Sequence, residues 1–163
     1  MAGWEPDKGY DRGRQSRDSE ISKREIDKLI LYIQQGAKTN ASLNIFYKDG
    51  PIANLAKDIK MHQLRKFHSE ILSIEDMINL AVAQSKSQDF EKIQIKLAKL
   101  EPVVQYTIAR IGYMKDLGNF MIRAIEEINK ENDINSWREK FIRFKEIFDS
   151  VIAYSKKERE KGG

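Results

Sequence analysis

The sequence predicts an all-α fold: a single compact helical bundle of about five to six helices, preceded by a disordered N-terminal tail. Three observations predict it. Apolar residues recur three and four apart along most of the chain, the spacing that keeps them on one face of an α-helix. Gly is 9 and Pro only 3, too few for a turn-rich β fold. No segment alternates apolar and polar residues as a half-buried strand does, and no internal repeat is visible.

A chain of 163 residues suits one domain, burying roughly 70% of its unfolded surface. The expected organisation is a disordered charged tail over 1–20, a helical bundle over 21–157 and a frayed tail over 158–163. Met1–Glu20 mixes Gly, Asp, Arg and Ser with almost no aliphatic residue, so it has too little to bury to offset its ordering entropy. Trp4 and Tyr10 read as idle tail aromatics.

Ser19 or Ser22 is expected to cap the first helix, Ile26, Leu29, Ile30 and Ile33 give its stripe, and Gly36 ends it. Ala37–Gly50 reads as a loop anchored by Leu43, Ile45 and Phe46. Pro51 suits the first turn of a short helix carrying Ile52, Leu55, Ala56 and Ile59. A long helix follows over Met61–Ala83, with Leu64, Phe67, Ile71, Ile74 and Ile78 in an apolar stripe about 80° wide. Gln84–Gln88 breaks it. Phe90, Ile93, Leu97 and Leu100 start another helix, and Pro102 marks a new start or a kink. Val103, Val104, Thr107, Ile108 and Ile111 continue on one side, Gly112 and Gly118 are weak points, and Phe120, Ile122, Ile125 and Ile128 resume the pattern. Asn135 or Ser136 is expected to cap the last helix, whose broad apolar face holds Trp137, Phe141, Phe144, Ile147, Phe148, Val151, Ile152 and Tyr154.

Several function classes find no support. Cysteine is absent, so there is no disulfide framework and no thiolate metal site. His62 and His68 lie six apart, roughly 240° around a helix, so they do not share a metal. Carboxylates are scattered, and neither phosphate-loop glycines nor a nucleophile motif is present. The expectation is a non-enzyme with no catalytic residue, metal or cofactor. No apolar run approaches the roughly 18 residues that span a bilayer, and the N-terminus has no signal-like apolar core. A cytoplasmic protein is expected, without membrane or small-molecule partner.

What remains is positive charge. The net charge is +4, compatible with an anionic partner. Lys57, Lys60, Arg65 and Lys66 cluster where the short helix meets the long one. His62, Arg65, Lys66 and Ser69 share the face opposite the apolar stripe, and that face turns acidic at Asp76. Free N–H groups and the positive end of the macrodipole sit at the same helix start, where a phosphate fits. The plain alternative is a solvated basic face. Arg110 stands alone in the otherwise neutral stretch Val103–Tyr113, and needs either a carboxylate of the bundle or a ligand phosphate.

Lys60–Phe67, KMHQLRKF, resembles the T-x-S-Q-[IL]-R-K-[FIL] signature of the small subunit of Csm-type (type III-A) CRISPR effector complexes. Leu100–Arg110, LEPVVQYTIAR, is similar to a second family block, a Leu-x-Pro run leading to a tyrosine and an arginine. Phe148–Tyr154, FDSVIAY, before a basic tail, resembles a third. Lys60 and His62 replace the signature's hydroxyl residues, and His62 could substitute as a donor. The resemblance implies a non-catalytic helical bundle in antiviral defence, present in several copies beside the backbone and large subunits and facing the groove where target RNA pairs with guide RNA (crRNA). Carried over residue by residue, Gln63, Arg65, Lys66 and Arg110 are the implied contacts to nucleic acid or a neighbouring subunit. Lys57, Lys60 and His62 join them as RNA-binding candidates.

Two rival readings stand beside this one. IANLAKDIKMHQLRKF also reads as the helix, turn and basic helix of a DNA-binding helix-turn-helix. Against that, the turn offers Ile59 and Lys60 where the motif favours a small flexible residue, and Lys66 stands where an apolar residue is expected. The other rival is a purely structural helical adaptor whose basic face binds acidic protein.

Overall fold

The computed structural model describes residues 23–162, with side chains as far as Lys156. Over that span the chain forms helices and short connections, with no strand among the described residues. The expected tail, Met1–Glu20, and the candidate caps Ser19 and Ser22 lie outside the described residues, as do the side chains of 158–163.

Helix α1 covers 23–35 and buries Ile26, Leu29, Ile30 and Ile33. Gly36 ends it in the left-handed region (φ +73), donating its N–H to Tyr32 O at 2.7 Å. The stretch read as a loop contains a single-turn helix, α2 (Asn40–Leu43), and a 3-10 turn over Asn44–Phe46. Leu43, expected as an anchor, is 42% exposed, because α2 has no buried residue. Ile45 does anchor the segment, and Phe46 meets Tyr32 edge to face with ring centres 5.2 Å apart. Pro51 opens α3 (Pro51–Ala56), whose Ile52, Leu55 and Ala56 are buried.

Helix α4 spans Met61–Ala83 and buries Leu64, Phe67, Ile71, Ile74 and Ile78, the stripe read from the spacing. A 3-10 turn over Ser87–Asp89 leads to α5 (Phe90–Ala98). Pro102 sits in the first turn of α6 (Leu100–Arg110), where its missing N–H leaves no helical bond unmade. Thr107, on the buried side of α6, donates its hydroxyl to Val103 O at 2.9 Å. A 3-10 turn over Gly112–Met114 opens α7 (Lys115–Ile128). Gly118 is a point of close packing rather than a weak point. It is buried within α7, and a Cβ there would overlap Ile108 Cγ1 and Cδ1 of α6.

Helix α8 (Ile134–Gly162) carries the core. Its cap is Asp133, not Asn135 or Ser136: the carboxylate accepts the Ser136 N–H at 2.9 Å, one turn into the helix. Trp137, Phe141, Phe144, Ile147, Phe148 and Val151 are wholly buried against α3, α4 and α7. Their rings run in file, Trp137 on Phe141 with centres 5.3 Å apart and Phe144 on Phe148 at 6.3 Å. Trp137 Nε1 donates to Asn129 Oδ1 at 2.8 Å, so the indole is buried without a lost hydrogen bond. One ionic cluster is buried with it. Lys140 Nζ reaches Glu127 at 3.0 Å and Glu131 at 2.8 Å. Burial alone would raise the Glu127 carboxyl, but hydrogen bonds from Lys140, Lys130 and Gln34 outweigh it and hold the group below its ordinary value. Burial likewise works against the Lys140 charge, and the two carboxylates outweigh it and raise its pKa.

Candidate nucleic-acid interface

The α3–α4 junction places the basic cluster. Lys57 caps the C-terminus of α3, and Lys60 holds the N-cap position of α4 in extended geometry (φ −89, ψ 137). Lys60 makes no side-chain cap bond, and the first turn of α4 contains no acidic residue. The threonine that the family signature has at position 60 would fit this N-cap, and lysine cannot accept an N–H there. Positive charge from Lys60, Arg65 and Lys66 thus gathers at the positive end of the macrodipole with no compensating acid in that turn.

Lys57, Lys60, His62, Arg65 and Lys66 are exposed and Gln63 is half-buried. His62 Nε2 lies 3.1 Å from Gln63 Nε2, and in the tautomer with its proton on Nδ1 the ring nitrogen accepts from the side-chain amide. Among the described residues, none of Lys57, Lys60, Arg65 and Lys66 has a carboxylate within ion-pair distance. Asp58 is the nearest acid in sequence, and it takes the left-handed conformation in the turn (φ 64). Asp58 therefore supplies the turn for which sequence reasoning wanted a small residue, so α3 and α4 do form a helix, a tight turn and a helix.

Arg110, at the C-terminal end of α6, is exposed and pairs with no carboxylate among the described residues. Its guanidinium instead donates to Tyr106 Oη at 3.2 Å and lies 5.5 Å from that ring's centre. Three residues on, Tyr113 receives Lys60 Nζ at 5.8 Å from its ring centre. That contact brings the start of α4 against the 3-10 turn that follows α6. Sequence reasoning missed both tyrosines as members of the site. Tyr106 stands within the quoted second block and was legible as a neighbour of Arg110 one helical turn away, whereas the Tyr113–Lys60 contact spans the fold and has no local signal.

Other candidates fall outside this surface. His68 is half-buried, 3.3 Å from Asp149 and stacked on Phe148, so it serves the α4–α8 contact. The third block is structural too: Phe148 is in the core and Tyr154 Oη donates to Phe46 O at 2.6 Å. No group of His, Asp and Glu among the described residues is placed to hold a metal ion. A cleft of about 550 Å³ lies between α1 and the segment 39–51, lined by Glu25, Tyr32, Tyr47 and Asp49, and includes none of the basic cluster.

The family model described as Csm2 Type III-A matches residues 38–161, from just before α2 almost to the end of α8. The chain belongs to the Csm2 family. No curated protein and no solved structure matches it. Csm2 is a small structural subunit of the type III-A CRISPR effector, so this chain belongs to that complex with the other Csm subunits and to antiviral defence. The matched span takes in the basic cluster, Tyr106, Arg110 and Tyr113, and begins after α1. Helix α1 is nonetheless tied to the bundle, for Arg143 Nε donates to Ile33 O at 2.9 Å and Tyr32 Oη to Glu146 at 2.6 Å. No described helix is long and apolar enough to cross a membrane.

Proposed function

We propose that this Csm2 protein is a non-catalytic, cytoplasmic subunit that lines the groove holding guide RNA paired to target RNA, and that it supports target binding through Lys57, Lys60, His62, Gln63, Arg65, Lys66 and Arg110. The observation that carries the reading is the exposed basic cluster at the start of α4, with no ion-paired carboxylate among the described residues. Ammonium and guanidinium groups of this kind neutralise phosphates and release counterions, a sequence-independent interaction suited to a subunit that must accept any target. Further copies along the backbone subunits would turn a weak contact into a strong one by avidity.

The test is an effector complex reconstituted with either wild-type or Arg65→Ala/Lys66→Ala subunit. Guide RNA should be retained at the same stoichiometry while target capture weakens for every target sequence alike. Equal target capture by both complexes contradicts the reading. A preference for one duplex DNA site that disappears in the double variant would favour the helix-turn-helix reading instead. The purified subunit should cleave neither RNA nor DNA, and turnover that persists through further purification contradicts the non-catalytic role.

A further inference from the structure

Two exposed tyrosines each have a cation over one ring face, Lys60 of the basic cluster over Tyr113 and Arg110 over Tyr106. Tyr106 is 59% exposed and Tyr113 is 39% exposed. Two such cation–ring pairs are about what a chain of this length contains, so their number decides nothing. Their position does. Both rings lie within eight residues of the chain, and the cations over them, Arg110 and Lys60, are both among the residues assigned to RNA. Tyr47 offers a contrast: it is 57% exposed, lines the cleft beside α1, and has no cation over its ring among the described residues.

An exposed ring beside a cation matches the two parts of a nucleotide. The base, once unpaired, offers a flat π-face for the ring, and its phosphate offers an anion for the ammonium or guanidinium. A fully paired duplex offers the phosphates but keeps its base faces inside the stack. We infer that Tyr106 and Tyr113, with Arg110 and Lys60, form a stacking platform for unpaired nucleobases, so that this face distinguishes unpaired nucleotides from duplex. The inference rests on the RNA-binding reading of the same surface and adds a base-stacking component to it. Arg110 lies over one face of Tyr106 and bonds its hydroxyl, so it holds the ring and meets the phosphate of a nucleotide stacked on the other face.

The experiment measures binding of the full chain to two labelled probes of equal length, a single-stranded oligouridylate and a fully paired RNA duplex. Stacking on one aromatic side chain is worth at least about fivefold in affinity. Tyr106→Leu/Tyr113→Leu should therefore lose roughly 25-fold or more for oligouridylate, with duplex binding nearly unchanged. Tyr106→Phe/Tyr113→Phe keeps the ring faces and should bind oligouridylate close to wild type. Tyr47→Leu should bind both probes as wild type does. All the changed positions are exposed, and circular dichroism confirms that each variant is folded.

The stacking platform is overturned if the leucine variant binds oligouridylate as tightly as wild type, if it loses duplex binding equally, or if the phenylalanine variant falls as far as the leucine one. The phosphate reading is judged separately, by the salt dependence of Arg65→Ala/Lys66→Ala. A shallower salt dependence in that variant, with no effect of the tyrosine changes, keeps the phosphate contacts and removes the platform. Failure of wild type to bind either probe removes both.

Discussion

Replacing Lys60 by serine should make the protein more stable and a weaker RNA binder. Lys60 occupies the N-cap of α4 without a cap hydrogen bond, although its backbone already has the extended geometry that a capping residue needs (φ −89, ψ 137). A serine there can accept an N–H from the first turn, worth about 1 kcal/mol. Removing a cation from a helix N-terminus adds a few tenths of a kcal/mol. Against these, the variant loses the contact of Nζ with the Tyr113 ring, 5.8 Å from its centre, worth about 0.5 kcal/mol at an exposed site. The net expectation is a gain of about 0.5–1 kcal/mol, or roughly 1–4 °C in Tm for a chain of this size. Lys60→Ala is the control, since it removes the same charge and the same ring contact but adds no cap. Thermal and urea unfolding should rank serine above wild type and place alanine near it. In RNA binding both variants should lose one phosphate contact, flattening log K against log salt by about 0.7 for a single strand. A serine variant no more stable than the alanine one would refute the assignment of Lys60 as an uncapped N-cap.

Three other outcomes follow from the packing. Gly118→Ala gains about 1 kcal/mol of helix propensity but drives a methyl into Ile108, so urea unfolding should show a net loss of about 1 kcal/mol or more; adding Ile108→Ala should recover part of it, as a double-mutant cycle reads. Lys140→Met leaves buried Glu127 without its main partner and should cost roughly 3 kcal/mol at neutral pH. Because Glu127 has a depressed folded pKa, its contribution is present above the unfolded value and is lost as pH falls through the folded one, so the penalty should shrink in acid. Burial and the hydrogen bond to Glu146 push the Tyr32 hydroxyl up to about 12 from 10.0, so its contribution is complete below pH 10.0 and fades as pH rises toward about 12. Tyr32→Phe should abolish that alkaline dependence in the unfolding midpoint.

The parts of the molecule legible in the sequence are those governed by short-range periodicity. Helix α4 reads from Met61 to Ala83 because its apolar residues keep a three-and-four spacing for six turns and the next five residues are polar. The aromatic face of α8 reads for the same reason. Helix α2 did not, because a single turn with no buried side chain leaves no period to detect. Asp133 lost to Asn135 and Ser136 as the expected cap because all of these residue types favour N-caps and only the observed Ser136 N–H bond separates them. Gly118 read as a weak point because propensity counts a glycine against a helix, whereas here the approach of Ile108 on a neighbouring helix requires it. The charged residues of the candidate interface were legible as a local cluster at one helix start. The contact of Lys60 with Tyr113 was not, since it spans the fold.

The central claim, that the start of α4 contacts RNA phosphates, is tested most directly by the salt dependence of RNA affinity in wild type and Arg65→Ala/Lys66→Ala. Both residues are exposed and off the apolar stripe of α4, so the change in stability should stay within about 0.5 kcal/mol. Each phosphate contact to single-stranded RNA contributes about 0.7 to the slope of log K against log salt. The double variant should be folded, bind every RNA sequence more weakly to the same degree, and give a slope shallower by about 1.4. An unchanged slope in a folded double variant would contradict the account and leave the basic face to a protein partner.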